Sequence, residues 1–250
     1  MSAPLKTARS TGELPAPLKT ACTMGDLSHA KSFYNDLVHT NASHVNDPIV
    51  YAACDSGSVT IFTILLDNDM DIDKYLEMGG SPLVSSCEAG NVELASFLLD
   101  HGADPNNGYF LGDYEALVWA IVGSHASLEM VELLLARGTV VKGTGALIAA
   151  AEHGNVGAVN VLLEHEGKNG DLDLEETEDY GAYDHRKLDD RGTALYGAAA
   201  DGYSEIVDIL LQNGADPGFR DRRGRSVADV AGEKGHTDVA RKLSSLVAEN

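Results

Sequence analysis

A short pattern that returns in phase along the chain limits the fold more than any other feature. An apolar residue opens each copy, small residues follow, a glycine falls seven positions on, and a paired apolar block closes it. The copies read LVSSCEAG–NVELASFLL from Leu83, LIAAAEHG–NVGAVNVLL from Leu147 and LYGAAADG–YSEIVDILL from Leu195. VYAACDSG–SVTIFTILL from Val50 is a fourth, so the turn glycines are Gly57, Gly90, Gly154 and Gly202. Degenerate copies run from Leu18 to Gly25 and from Ala228 to Gly235, and Leu117 opens a copy with two extra residues in its turn.

Each copy encodes two short helices joined by the glycine turn. The first carries Ala, Ser, Gly or Cys on one side, which lets neighbouring backbones approach closely. The second places apolar residues at helical spacing, as in Leu94, Phe97 and Leu98 or Ile206, Ile209 and Leu210. Neither helix can bury its apolar side alone, so the copies are expected to stack.

Two copies carry a family resemblance. Ser81-Pro82-Leu83, Gly90, Leu98-Leu99 and the run His101-Gly102-Ala103-Asp104-Pro105-Asn106 make up one. Thr193-Ala194-Leu195, Ala198-Ala199, Gly202, Ile206-Val207, Leu210-Leu211 and Asn213-Gly214-Ala215-Asp216-Pro217 make up the other. Both resemble an ankyrin repeat, and the resemblance extends over about residues 15 to 250. Leu65 and Leu98 lie 33 residues apart, the period of that family, and the later intervals of 36, 28 and 48 differ in turns and connectors. The resemblance implies an all-α solenoid of about seven stacked helix pairs, the terminal ones degenerate, with hairpin-like connecting fingers. The expected organisation is a disordered tail over 1–14 and a repeat domain over 15–250, with an acidic insertion at about 168–192. Most copies lack the Thr-Pro-Leu-His start, so first-helix capping should be weak, and residues 136–146 less stable than 193–217.

Composition narrows the functions open to such a chain. Lys and Arg number 18 against 39 Asp and Glu, a formal charge of −21, which repels phosphate backbones and anionic lipids. General nucleic-acid binding and membrane binding are therefore not expected, while encounter with a basic partner is favoured. The opening MSAPLKTARSTGELPAP lacks the apolar core of a secretory signal, so a cytoplasmic or nuclear location is expected.

Catalytic and metal signatures fail on inspection. Asp171, Asp173 and Glu175 alternate like a calcium loop, but Glu176 and Ala182 stand where the loop needs Gly and Glu. The segment Gly138 to Thr144 lacks the spacing of a phosphate-binding loop. Cys22, Cys54 and Cys87 share one slot with Ala151, Ala199 and Gly232, as small core residues would. His101, His153 and His236 fall at turns or helix ends, where imidazole bonds to backbone. No enzyme, cofactor or metal site is expected.

By resemblance, a partner protein would lie along the groove formed by the fingers and the first helices. Three regions stand out there. Tyr109, Phe110 and Tyr114 cluster in one connector, followed by Trp119 at a slot held elsewhere by Ala52, Ser85, Ala149 and Gly197. Tyr180 and Tyr183 close the acidic insertion, a candidate arm for a basic segment. Arg222 and Arg223 lie in the finger Arg220–Arg225, whose simplest use is to neutralise that insertion. The function expected is a scaffold or adaptor. A regulatory inhibitor or assembly chaperone masking a basic client is the alternative, with an enzyme in the acidic insertion behind it.

Overall fold

The computed structural model describes residues 16–23, 28–29, 31–32, 46–76, 80–107, 115–123, 125–169 and 192–248. The tail 1–14 and residues 170–191 of the insertion lie outside them. The chain divides into two compact units, Met1–Asn107 and Gly108–Asn250.

The first unit holds α1 (Ala16–Thr23), α2 (Asn46–Ser56), α3 (Val59–Leu66), α4 (Pro82–Glu88) and α5 (Val92–Asp100). Here α2 packs on α3 and α4, and α5 packs on both α3 and α4. The second unit holds α6 (Ala116–Val122), α7 (Leu128–Ala136), α8 (Ala146–Glu152) and α9 (Val156–Asn169). It continues with α10 (Ala194–Ala200), α11 (Ser204–Gln212), α12 (Val227–Glu233) and α13 (Thr237–Ala248). Its first helices form one row, α6 on α8 on α10 on α12, and the second helices α7, α9 and α11 form another. Each second helix also packs against the first helix of its own copy, so the repeats stack as their apolar faces require. Among the described residues there are no strands, only isolated bridges, Leu76 to Gly80 and Arg220 to Ser226, at the bases of fingers. Among them too, no helix is long and apolar enough to cross a membrane.

The two rows bury different amounts of themselves. Every residue from Ala146 to Ala151 in α8 is buried, as is every residue from Ala194 to Ala199 in α10. Such helices lie between neighbours on both sides, and alanine permits the close approach. The second helices bury a narrower stripe: Leu94, Ala95 and Leu98 in α5, and Ile206, Val207 and Leu210 in α11. Phe97 and Ile209, expected on that stripe, are only partly buried. Phe97 instead stacks on His101, with ring centroids 4.0 Å apart.

The turn glycines owe their identity to the stacking itself. Gly57, Gly154 and Gly202 have φ of 62°, 68° and 77°, a region costly for residues with a Cβ. A methyl group on each would also overlap a side chain of the next copy: Asn91 over Gly57, Tyr203 over Gly154 and His236 over Gly202. Gly235, in the last copy, has nothing within 4 Å of that position.

Capping is better than the missing Thr-Pro-Leu-His starts imply. Ser81 accepts from Val84 N–H at the start of α4, Thr193 from Tyr196 N–H at α10, and Ser226 forms a full capping box with Asp229 at α12. At α8 the N-cap is Gly145 in the left-handed region, with no side chain to cap. There the hydroxyl of Thr144 accepts from Ala146 N–H at 3.2 Å and donates to the Val141 carbonyl at 2.6 Å. Thr139 donates to the Leu134 carbonyl at 2.9 Å. Two buried threonines thus tie down the 136–146 stretch that the sequence marks as weak.

Candidate protein-binding surface

The surface is built from what the close-packed first helices leave exposed. In α6, Ala116, Leu117, Val118, Ala120 and Ile121 are buried, and only Trp119 and Val122 reach solvent. In the next two copies the slot of Trp119 holds Ala149 and Gly197, both buried. Gly197 is small for a reason: a methyl group there would overlap the side chain of Glu152 from the preceding copy. Trp119 is thus a partly exposed large residue in a row whose following positions are small.

Arg222 and Arg223 are exposed at the tip of the finger between α11 and α12. The finger is held from beneath by Asp221, whose side chain is fully buried. One Asp221 oxygen accepts from the backbone N–H groups of Arg223 and Arg225, each at 2.9 Å. The other accepts from the Tyr196 hydroxyl at 2.8 Å and from Arg225 Nε at 2.8 Å. Burial alone would raise the Asp221 pKa, but the hydrogen bonds from Tyr196 and Arg225 outweigh it and hold the carboxyl below its usual range. Arg225 also donates to Glu233 at 3.1 Å and to the Tyr196 hydroxyl at 3.0 Å, while Arg220 donates to the Gly224 carbonyl at 2.8 Å. Phe219 meets the Tyr196 ring edge-on, with centroids 5.9 Å apart. Arg220 thus bonds its own finger while Arg225 ties the finger to α10 and α12, and the tip pair stands on a braced hairpin.

Of the other residues singled out in the sequence, Tyr109, Phe110, Tyr114, Tyr180 and Tyr183 lie outside the described residues, as does the side chain of Cys22. Cys54 and Cys87 are buried free thiols, and burial pushes both up to about 12. At neutral pH they are protonated core groups, not nucleophiles. His101 Nδ1 lies 2.8 Å from the Phe97 carbonyl, and His153 Nδ1 lies 2.9 Å from that of Ala149. Among the described residues no three His, Cys, Asp or Glu side chains come together as metal ligands would.

A stack of helix pairs joined by glycine turns and hairpin fingers defines a class of repeat solenoid. The chain matches the family described as ankyrin repeats (3 copies) over residues 18–109, and that described as ankyrin repeat over residues 190–222. It belongs to the ankyrin-repeat family, whose repeats are protein–protein interaction modules. Among solved structures it is similar to the ankyrin-repeat protein EF0377, with TM-score 0.63 and 28% identity over 80% of this chain and 98% of that one. The ankyrin-repeat domain of human ASB11 shares the fold at TM-score 0.64 and 24% identity, over 91% of this chain and 97% of that one. Of curated proteins, the probable E3 ubiquitin-protein ligase XBOS32 of Oryza sativa subsp. japonica is 30% identical over 97 residues, 39% of this chain. XBOS34, also a probable E3 ubiquitin-protein ligase of that rice, is 37% identical over 57 residues, 23% of this chain. The matches span only 17% and 11% of those two proteins.

Proposed function

We propose that this chain is a scaffold or adaptor without catalytic activity, holding a partner protein on the face made by its first helices and fingers. The observation that carries the reading is Trp119, which reaches solvent from a helix otherwise buried almost throughout. An aromatic ring placed beside small neighbours gives a partner a large, rigid anchor at low entropic cost. The charge of −21 favours a basic partner and disfavours nucleic acid. Buried free thiols fit a reducing compartment, cytoplasm or nucleus. The rice relatives are named as ubiquitin ligases, but the short matches to them support only the shared repeat module, so ubiquitin transfer is not part of this proposal. Affinity capture from lysate with wild type and Trp119→Ala, read by mass spectrometry, tests the reading. Proteins lost with the variant support it, and identical lists reject Trp119 as the anchor.

A further inference from the structure

The second residue of the second helix is Thr60, Glu93, Glu129, Glu205 or Asp238 in five copies, but Gly157 in α9. A carboxylate suits that place, because the first turn of a helix has unbonded N–H groups and favours negative charge. Glycine is the poorest helix former there after proline. Nothing within the chain calls for it. The φ of Gly157 lies outside the left-handed region, and a methyl group on it would meet Leu128 and Asn155 at 3.5 Å or more, which is ordinary contact. A glycine that neither its backbone nor its neighbours require leaves room for another chain to come close.

The space over Gly157 has an apolar wall. Leu128, at the start of α7, is 41% exposed, and its side chain is the one that a methyl group on Gly157 would touch. Tyr203, 37% exposed, covers Gly154 three residues before Gly157. Because α7, α9 and α11 pack in succession, the slot of Gly157 falls between those of Glu129 and Glu205, both exposed. Packed helices lie about 10 Å apart, and an extended chain covers that distance in about three residues. The result is a neutral notch with a carboxylate position one helix away on either side.

We propose that the notch over Gly157 receives an apolar side chain from a second partner protein, carried in an extended basic segment. Lys or Arg about three residues to either side of that apolar residue then meets Glu129 and Glu205. The site lies at the starts of the second helices, apart from the first-helix face, so the chain can hold two proteins. Charge decides the occupant: a second copy would bring a further −21 against the same carboxylates, whereas a basic segment is drawn to them.

The intact protein is titrated by calorimetry at low salt with a nine-residue Gly/Ser peptide carrying leucine at its centre and arginine three residues to either side. Binding should be saturable. Serine in place of the leucine should weaken it roughly tenfold or more, and citrulline in place of both arginines should abolish its salt dependence. Gly157→Gln fills the notch without adding charge and should weaken binding roughly fivefold or more, while leaving the melting temperature unchanged or higher. Leu128→Ser, which removes the wall, should also weaken it. Glu129→Gln/Glu205→Gln should weaken it roughly threefold or more, whereas Glu93→Gln, the same slot in the first unit, should change it less than about twofold. No saturable binding, binding indifferent to Gly157→Gln and Leu128→Ser, or equal weakening by Glu93→Gln and the double variant would overturn the proposal. A lower melting temperature for Gly157→Gln would make the glycine structural and overturn it too. Self-association that Gly157→Gln abolishes would give the notch to a second copy instead.

Discussion

Placing a methyl group on Gly57 should destabilise the first unit by two separable routes. The first is backbone strain: alanine at φ 62° costs about 1–2 kcal/mol. The second is displacement of Asn91, whose side-chain amide occupies the space the methyl group would take. Asn91 Oδ1 accepts from Leu94 N–H at 3.0 Å and caps α5, so moving it forfeits about 1 kcal/mol. Together these give roughly 2–3 kcal/mol. Gly102, with φ 95° and nothing within 4 Å, should show the strain alone. Cys87 is fully buried in this unit and unreactive until it opens, so its alkylation rate, read by mass spectrometry, measures the opening free energy. Gly57→Ala should speed labelling roughly 30- to 140-fold, since 1.4 kcal/mol corresponds to a factor of about ten. The decisive variant combines Gly57→Ala with Asn91→Ala. The cap is already lost in Gly57→Ala, so the pair should be no less stable than Gly57→Ala alone. Full additivity would mean that Asn91 does not lie over Gly57, and the stacking register would be wrong.

Leu98→Ala should cost about 2–5 kcal/mol in urea unfolding, because Leu98 is wholly buried; Leu246→Ala, at a partly exposed site, should cost clearly less. The protonated thiols of Cys54 and Cys87 contribute stability that is complete below pH 9 and is lost as pH rises toward about 12. The slope in that window is up to about 1.4 kcal/mol per pH unit for each thiol. Unfolding free energies of Cys54→Ala/Cys87→Ala should therefore fall less steeply there than wild type, and parallel curves would contradict the burial argument. Asp221 works in the opposite sense: its contribution is present above about pH 4 and lost as pH falls through its lowered native value. Asp221→Asn should cost about 1.5–3 kcal/mol and Tyr196→Phe about 1, both read from Trp119 emission during unfolding of the second unit.

The fold was legible because stacking imposes one condition at every copy. Small residues in the first helices and a glycine in each turn are needed wherever two copies meet, so the condition repeats along the chain. The reason for each glycine was only half visible. A positive φ can be guessed from a turn, but that Tyr203 or His236 would cover Gly154 or Gly202 depends on contacts between residues far apart in sequence. At α8 the sequence pointed to poor capping, and the N-cap is indeed Gly145 with no side chain to bond, but it did not show that Thr144, one position earlier, bonds the Ala146 N–H. Trp119 stood out by size against its slot-mates. The Asp221 brace was hidden: the arginines looked available for the acidic insertion, whereas Arg225 turns back onto Tyr196, Asp221 and Glu233.

A photo-reactive phenylalanine analogue at position 119, compared with the same group at position 132 on the exposed side of α7, tests the binding surface most directly. With a partner captured on the wild-type chain, cross-links should form at position 119 and be absent at position 132. Cross-linking at 132 with none at 119 would place the partner on the second helices and contradict the assignment of the surface.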